Sequence, residues 1–168
     1  MKELSIVGSK NAGKTTLVEK LIALLITRGI SVGTIKHTSH SHGFDTPGKD
    51  SHRHRAAGST FTIASGPNEI ALFAANDSPV TAGLISLIND NCDLCLIEGD
   101  KASQRPKVLI VPSNGNLPDP LPNNIVASWG DGQGKTDIPH FDSDDCTALV
   151  EFIVRRLELE NLGVSNEN

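Results

Sequence analysis

Short apolar runs alternate with amphipathic stripes along this chain. Leu4-Ser5-Ile6-Val7 is a compact apolar run of buried-strand length. A glycine-rich loop follows. Leu17, Leu21, Leu24 and Leu25 then recur at helical spacing, and the stripe closes at Arg28 and Gly29. Ser31 to Lys36 reads as the next strand. Strand, helix and strand within about 35 residues form a βαβ unit, so at least part of the sheet is parallel.

The stretch from His37 to Gly58 is long and polar, and a loop of that size is usually functional. Its second half, Asp50 to Ala57, predicts a short helix capped by Asp50. Phe61–Ala64 and Glu69–Phe73 flank Ser65-Gly66-Pro67-Asn68, which predicts a hairpin. Val80 to Ile88 predicts a helix with Leu84, Ile85 and Ile88 on one apolar face. Asp93–Ile97, Val108–Val111 and Ile125–Ser128 predict three further strands, and the proline-rich segment 112–122 a loop between the last two. Asp142-Ser143-Asp144-Asp145 is an acidic cap for a final helix with Leu149, Phe152, Ile153 and Leu157 as its stripe. No repeat and no second domain is visible. Residues 1–160 read as one domain and 161–168 as a tail.

Composition narrows the function classes. The 168 residues hold 15 Gly but only 5 Phe, 1 Trp and no Tyr, with a net charge of −5. Few rings argue against base stacking on single strands, and the acidic balance against a duplex-binding face, so no nucleic-acid partner is expected. No apolar run approaches the roughly 20 residues that span a bilayer, so no membrane partner is expected. Met1-Lys2-Glu3-Leu4 does not resemble a secretory leader. Cys92, Cys95 and Cys146 are too few for a disulfide framework and fit a reducing compartment, so a cytoplasmic location is expected.

Gly8-Ser9-Lys10-Asn11-Ala12-Gly13-Lys14-Thr15 matches the phosphate-loop pattern G-x-x-x-x-G-K-[ST] at every fixed position, between a strand and a helix. Its glycines let backbone N–H groups surround a phosphate. Lys14 is placed to reach the β- and γ-phosphates and the Thr15 hydroxyl to bind Mg²⁺. Gly8, Asn11, Ala12, Gly13 and Thr16 complete the candidate loop. Gly134-Lys135-Thr136 ends like a second loop, but Trp129 stands at its first glycine position and a proline follows, so it reads as a surface turn.

Such a loop needs a carboxylate near its metal, usually at the end of a neighbouring strand. Glu98 supplies one, with Gly99 giving the chain room to pass the ligand. Asp93, at the other end of that strand, reads as structural. Cys92 and Cys95 read as core thiols. Five of the six histidines fall at 37, 40, 42, 52 and 54, among Lys36, Lys49, Arg53 and Arg55. This local basic segment is expected to attract anions. Its histidine pairs leave metal binding as an alternative. Asp45 and Asp50 are candidate switch carboxylates sensing metal and γ-phosphate.

The chain resembles the molybdopterin-guanine dinucleotide biosynthesis protein B family. The resemblance is carried by the loop 8–16, by Lys36-His-Thr-Ser-His-Ser-His-Gly-Phe-Asp45, by Pro47 to Gly58, by Ile97-Glu-Gly-Asp-Lys101 and by Pro106-Lys107, in the family's order. It implies a P-loop NTPase fold, and with the elements read above the expected architecture is three-layer α/β/α, with a mostly parallel central sheet of about seven strands and one hairpin. It also implies a GTP-binding adaptor of molybdenum cofactor assembly with slow GTPase activity. The implied partners are a second copy of the chain, the molybdenum cofactor guanylyltransferase, and molybdopterin or its guanine dinucleotide. GTP and Mg²⁺ are the implied cofactors. By position, Lys14 and Glu98 are the catalytic candidates. Thr15, Asp45 and Glu98 lie on the metal side, and Lys36, His37, His40, Arg53 and Arg55 line the site. Asp100 departs from the family's aromatic or apolar residue. In Ser128-Trp129-Gly130-Asp131 the acid comes later than the family places it, and Asp131 is the candidate for reading guanine. A small-molecule kinase, with Arg53, Arg55 and Arg105 as lid arginines, and a metal-insertion GTPase stay open as alternatives.

Overall fold

The computed structural model describes residues 2–38, 43–134 and 137–160. In chain order its elements are β1 (Lys2–Val7), α1 (Lys14–Ile26), β2 (Val32–Lys36), α2 (Asp50–Ala56), β3 (Phe61–Ser65), β4 (Ile70–Ala74), α3 (Val80–Asn91), β5 (Leu94–Glu98), β6 (Lys107–Ile110), β7 (Ile125–Trp129), β8 (His140–Phe141) and α4 (Cys146–Arg156). They fall into two compact units, one of Met1–Thr38 with Asn89–Asn168 and one of Ser39–Ile88.

The first unit is built on a six-stranded sheet in the order β2-β5-β1-β6-β7-β8. Every pairing in it is parallel. Parallel strands alternate their side chains between two covered faces, so the apolar runs are nearly continuous. Leu4 and Ile6, Leu94 and Leu96, and Val108 and Ile110 face one core with Leu17, Leu21 and Leu25 of α1 and Leu149, Val150 and Ile153 of α4. Val7, Leu109 and Val111 face the other, with Leu117 and Ile125. β1 lies between β5 and β6, so the loop after it opens beside the carboxyl ends of both.

Two details differ from expectation here. Among the described residues the sheet has six strands against the expected seven or so, and β8 is a two-residue strand that no periodicity marks. α1 ends at Ile26 rather than Arg28, and Gly29, at φ 74°, takes the left-handed turn after it. The acidic cap of α4 is as expected: Asp145 accepts from the Ala148 N–H at 3.1 Å.

In the second unit, β3 and β4 pair antiparallel with Phe61 opposite Ala74 and Ser65 opposite Ile70, a sheet of their own. Asp50 is the first residue of α2 rather than its cap; Lys49 holds that position, with no side-chain cap bond. α3 forms where expected and runs on to Asn91, but none of its residues is buried. Leu84 and Ile85, on the apolar face, are each 36% exposed. Helical spacing supplies an apolar stripe but not a surface to cover it.

Candidate functional site

The loop after β1 is shaped by a few backbone constraints. A side chain at Gly8 would put its Cβ 3.2 Å from the Ile110 Cβ, so the loop leaves the sheet pressed against β6. Asn11 and Gly13 both take left-handed conformations, at φ 61° and 95°. Such turns make concave nests of backbone N–H groups. Gly13 caps α1 without a side-chain bond, so the first N–H groups of that helix keep their hydrogen-bonding capacity. The Ser9 hydroxyl donates to the Asn116 carbonyl at 2.7 Å, tying the loop to the proline-rich segment.

Lys14, first residue of α1, folds back over its own loop and donates to the Ser9 carbonyl at 2.6 Å. Across from it, Thr15 donates its hydroxyl to the Glu98 carboxylate, 3.1 Å from either oxygen. Lys36 and Glu98 are register partners at the ends of the adjacent strands β2 and β5, and their side chains form an ion pair. Lys10, Asn11, Ala12, Gly13, Thr16 and these four residues line one cavity of about 400 Å³. Burial lowers the Lys14 pKa; Glu98 opposes that shift, while Lys101 and Lys36 add to it. Among the described residues an acidic protein has thus placed three lysines, at 10, 14 and 36, around one carboxylate. That balance favours a polyanion.

Gly99 follows Glu98 where the chain passes close to the residue after β2. At φ 98°, a Cβ there would lie 2.8 Å from the His37 carbonyl oxygen. Its smallness lets β5 pass β2, where the His37 N–H donates to the Glu98 carbonyl at 2.9 Å. The His37 side chain is exposed, and His40 lies outside the described residues.

Asp45, Arg53 and Arg55 belong to the second unit. Asp45 is buried there, accepts from the Ser51 hydroxyl at 2.9 Å, and has Arg55 3.9 Å from its other oxygen. Arg55 also lies over the Phe73 ring, at 5.7 Å. Arg53 forms an exposed pair with Asp50. In the first unit, Asp131 follows β7 and accepts from the Ser143 hydroxyl. Asp93 is structural as expected, accepting from the backbone and side chain of Ser31.

Arg105 is committed elsewhere. It bridges Glu3 and Asp100 at 2.7 and 2.8 Å, and both contacts raise its pKa. Glu3 lies toward the start of β1, about four residues and 13 Å of strand from the loop. Asp100, the departure from the family pattern, thereby anchors the segment after β5. Lys107, fully buried, donates to the carbonyls of Ser103 and Arg105 and pins the same segment. Sequence reading missed Lys10 and Ser9 as parts of the site because the motif leaves their positions free.

The comparisons with known proteins agree with this architecture. The family model described as molybdopterin guanine dinucleotide synthesis protein B matches residues 3–129. The molybdopterin-guanine dinucleotide biosynthesis adapter protein of Escherichia coli K12 is 32% identical over 165 residues, 94% of either chain. That of Haemophilus influenzae is 39% identical over 121 residues, covering 71% of this chain and 67% of its own. The crystal structure of Bacillus subtilis MobB superimposes with a TM-score of 0.71 at 26% identity, over 94% of this chain and 98% of that one. The match spans every strand of the sheet except β8, together with the loop and Glu98 that line the cavity, and the chain belongs to the molybdopterin guanine dinucleotide synthesis protein B family.

Proposed function

We propose that the protein is a GTP-binding adaptor in molybdenum cofactor biosynthesis that assists the attachment of GMP to molybdopterin and hydrolyses GTP slowly. The observation that carries this reading is the cavity of the first unit. Nested backbone N–H groups, an uncapped helix start and three lysines converge there on one buried carboxylate. The adapter names of the relatives supply the pathway. In this reading the loop N–H groups and Lys14 hold the β- and γ-phosphates. Lys14 exchanges its bond to the Ser9 carbonyl for phosphate oxygen. Thr15 and Glu98 fit a hard, oxygen-liganded cation, because their oxygens already meet within hydrogen-bond distance. Bound there, Mg²⁺ would neutralise phosphate charge. Asp131, oriented by Ser143, is the carboxylate we assign to the guanine N–H and amino groups. The kinase alternative loses Arg105, which is occupied by Glu3 and Asp100.

A guanylyltransferase, molybdopterin or its guanine dinucleotide, and a second copy of the chain are the partners this reading takes from the family. The three unpaired thiols fit a cytoplasmic setting. Among the described residues no helix is long and apolar enough to cross a membrane. The test is calorimetric titration with GTP and with ATP in the presence of Mg²⁺. GTP is expected to bind more tightly than ATP. Lys14→Ala is expected to lose at least about 100-fold in GTP affinity, the scale of two charge-assisted bonds. Unchanged affinity in a folded Lys14→Ala protein removes the phosphate-loop assignment.

A further inference from the structure

Glu98 and Lys36 differ in a way the phosphate-binding role does not require. The Glu98 side chain is only 11% exposed and is fixed from below by the Thr15 hydroxyl, whereas the Lys36 side chain is 55% exposed. One partner is a rigid, nearly buried anion, and the other a solvent-reaching cation on a flexible stem. An ion pair with one exposed, rotamer-rich partner is weak and easily parted. The carboxylate left behind is not so free. A nearly buried charge that loses its partner must find another cation. The ammonium therefore sits on the same carboxylate that a divalent cation at Thr15 would use.

We infer that Lys36 and the divalent cation compete for Glu98, so that the metal enters together with a polyphosphate rather than ahead of it. This rests on the nucleotide-binding reading given above. The surrounding charge works the same way. Among the described residues Lys10, Lys14 and Lys36 line the cavity with Glu98 as its one carboxylate, and Lys101 adds its field at Lys14. A bare divalent ion meets a net positive cavity and must also displace an ammonium. A metal–polyphosphate complex brings its own negative charge, and its phosphate oxygens accept the displaced ammonium. Lys36 thus couples metal binding to nucleotide binding, because the metal pays the cost of removing it only when phosphate is there to receive it.

The experiment is Mn²⁺ titration of the full chain at pH 8 without nucleotide, read by the electron paramagnetic resonance of the free ion. Lys36→Met is expected to bind Mn²⁺ at least about tenfold more tightly than the wild type. Lys36→Arg, which keeps a cation beside Glu98, is expected to behave as wild type. Adding Glu98→Gln to Lys36→Met is expected to abolish the gain, which locates the ion. Circular dichroism melting establishes that each variant is folded. Equal Mn²⁺ affinity in wild type and Lys36→Met overturns the inference, as does a gain that survives Glu98→Gln. Because no nucleotide is present, these outcomes are independent of the GTP titration. A lost GTP signal with a Lys36-dependent Mn²⁺ site would overturn the nucleotide reading and leave the competition standing.

Discussion

At the scale of single residues, environment decides which of several similar groups is chemically available. Cys95 lies inside β5 with no exposed surface, and burial, assisted by the charge of Glu3, raises its thiol pKa from 9.0 to about 11. Cys146 is shifted the same way by burial. Cys92, two residues before β5, is only partly covered. Alkylation of the native protein at pH 8 is therefore expected to modify Cys92 and spare Cys95 and Cys146, as peptide mass mapping would read. The shift also sets a sign for stability. Between pH 9 and 11 the unfolded thiol gives up its proton while the folded one keeps it. The unfolded state then binds fewer protons, so this residue's contribution to stability falls as pH rises through that window. Lys14 works in the opposite direction, because burial lowers its pKa and folding is favoured as its charge is removed. Comparing urea midpoints of wild type and Cys95→Ala across pH 8.5 to 10.5 isolates the thiol. The difference between them is expected to shrink with rising pH. A constant difference would mean that Cys95 is not the group that titrates.

At the scale of elements, spacing within one segment was readable and pairing between segments was not. Each fixed position of the glycine loop sits in one stretch of eight residues, so its strand, turn and helix follow from local chemistry. The cap of α4 is local in the same sense. Asp145→Ala removes the acceptor for the Ala148 N–H and is expected to cost about 1 kcal/mol, measurable as a lower urea midpoint. Lys36 and Glu98, by contrast, lie 62 residues apart and meet because β2 and β5 become neighbours in the sheet. Nothing local to either residue encodes that pair. The same limit explains Gly99. A group it must clear is the His37 carbonyl, which only strand order brings near. Lys107 is the hardest case. It opens an apolar strand yet is fully buried, because the segment 99–106 turns two carbonyls onto its ammonium.

At the scale of the whole molecule, burial is uneven between the two units. The first unit buries every apolar residue of its three central strands β5, β1 and β6, and its outer strands are partly covered. The second carries Ile63 at 54% and Ile70 at 72% exposed, with Phe61 beside them. Register places Phe61 opposite Ala74, Ile63 opposite Leu72, and Ser65 opposite Ile70, so these apolar residues share one face of the β3–β4 ribbon. A two-stranded ribbon is marginal alone and presents unpaired edges. The homodimer proposed from the family gives this face an occupant of matching chemistry, a second copy of the same uncharged stripe. Light scattering is expected to give twice the chain mass of 17.8 kDa. Placing lysines at both Ile63 and Ile70 is expected to weaken the dimer at least about 100-fold, since two like charges would be buried against their symmetry mates. Because these positions already face solvent in the single chain, the fold of each copy should tolerate the change, and the melting curve reports whether it does. A wild-type protein that stays monomeric at every concentration would leave the stripe without its second copy, and a dimer unmoved by both lysines would locate the contact on another face.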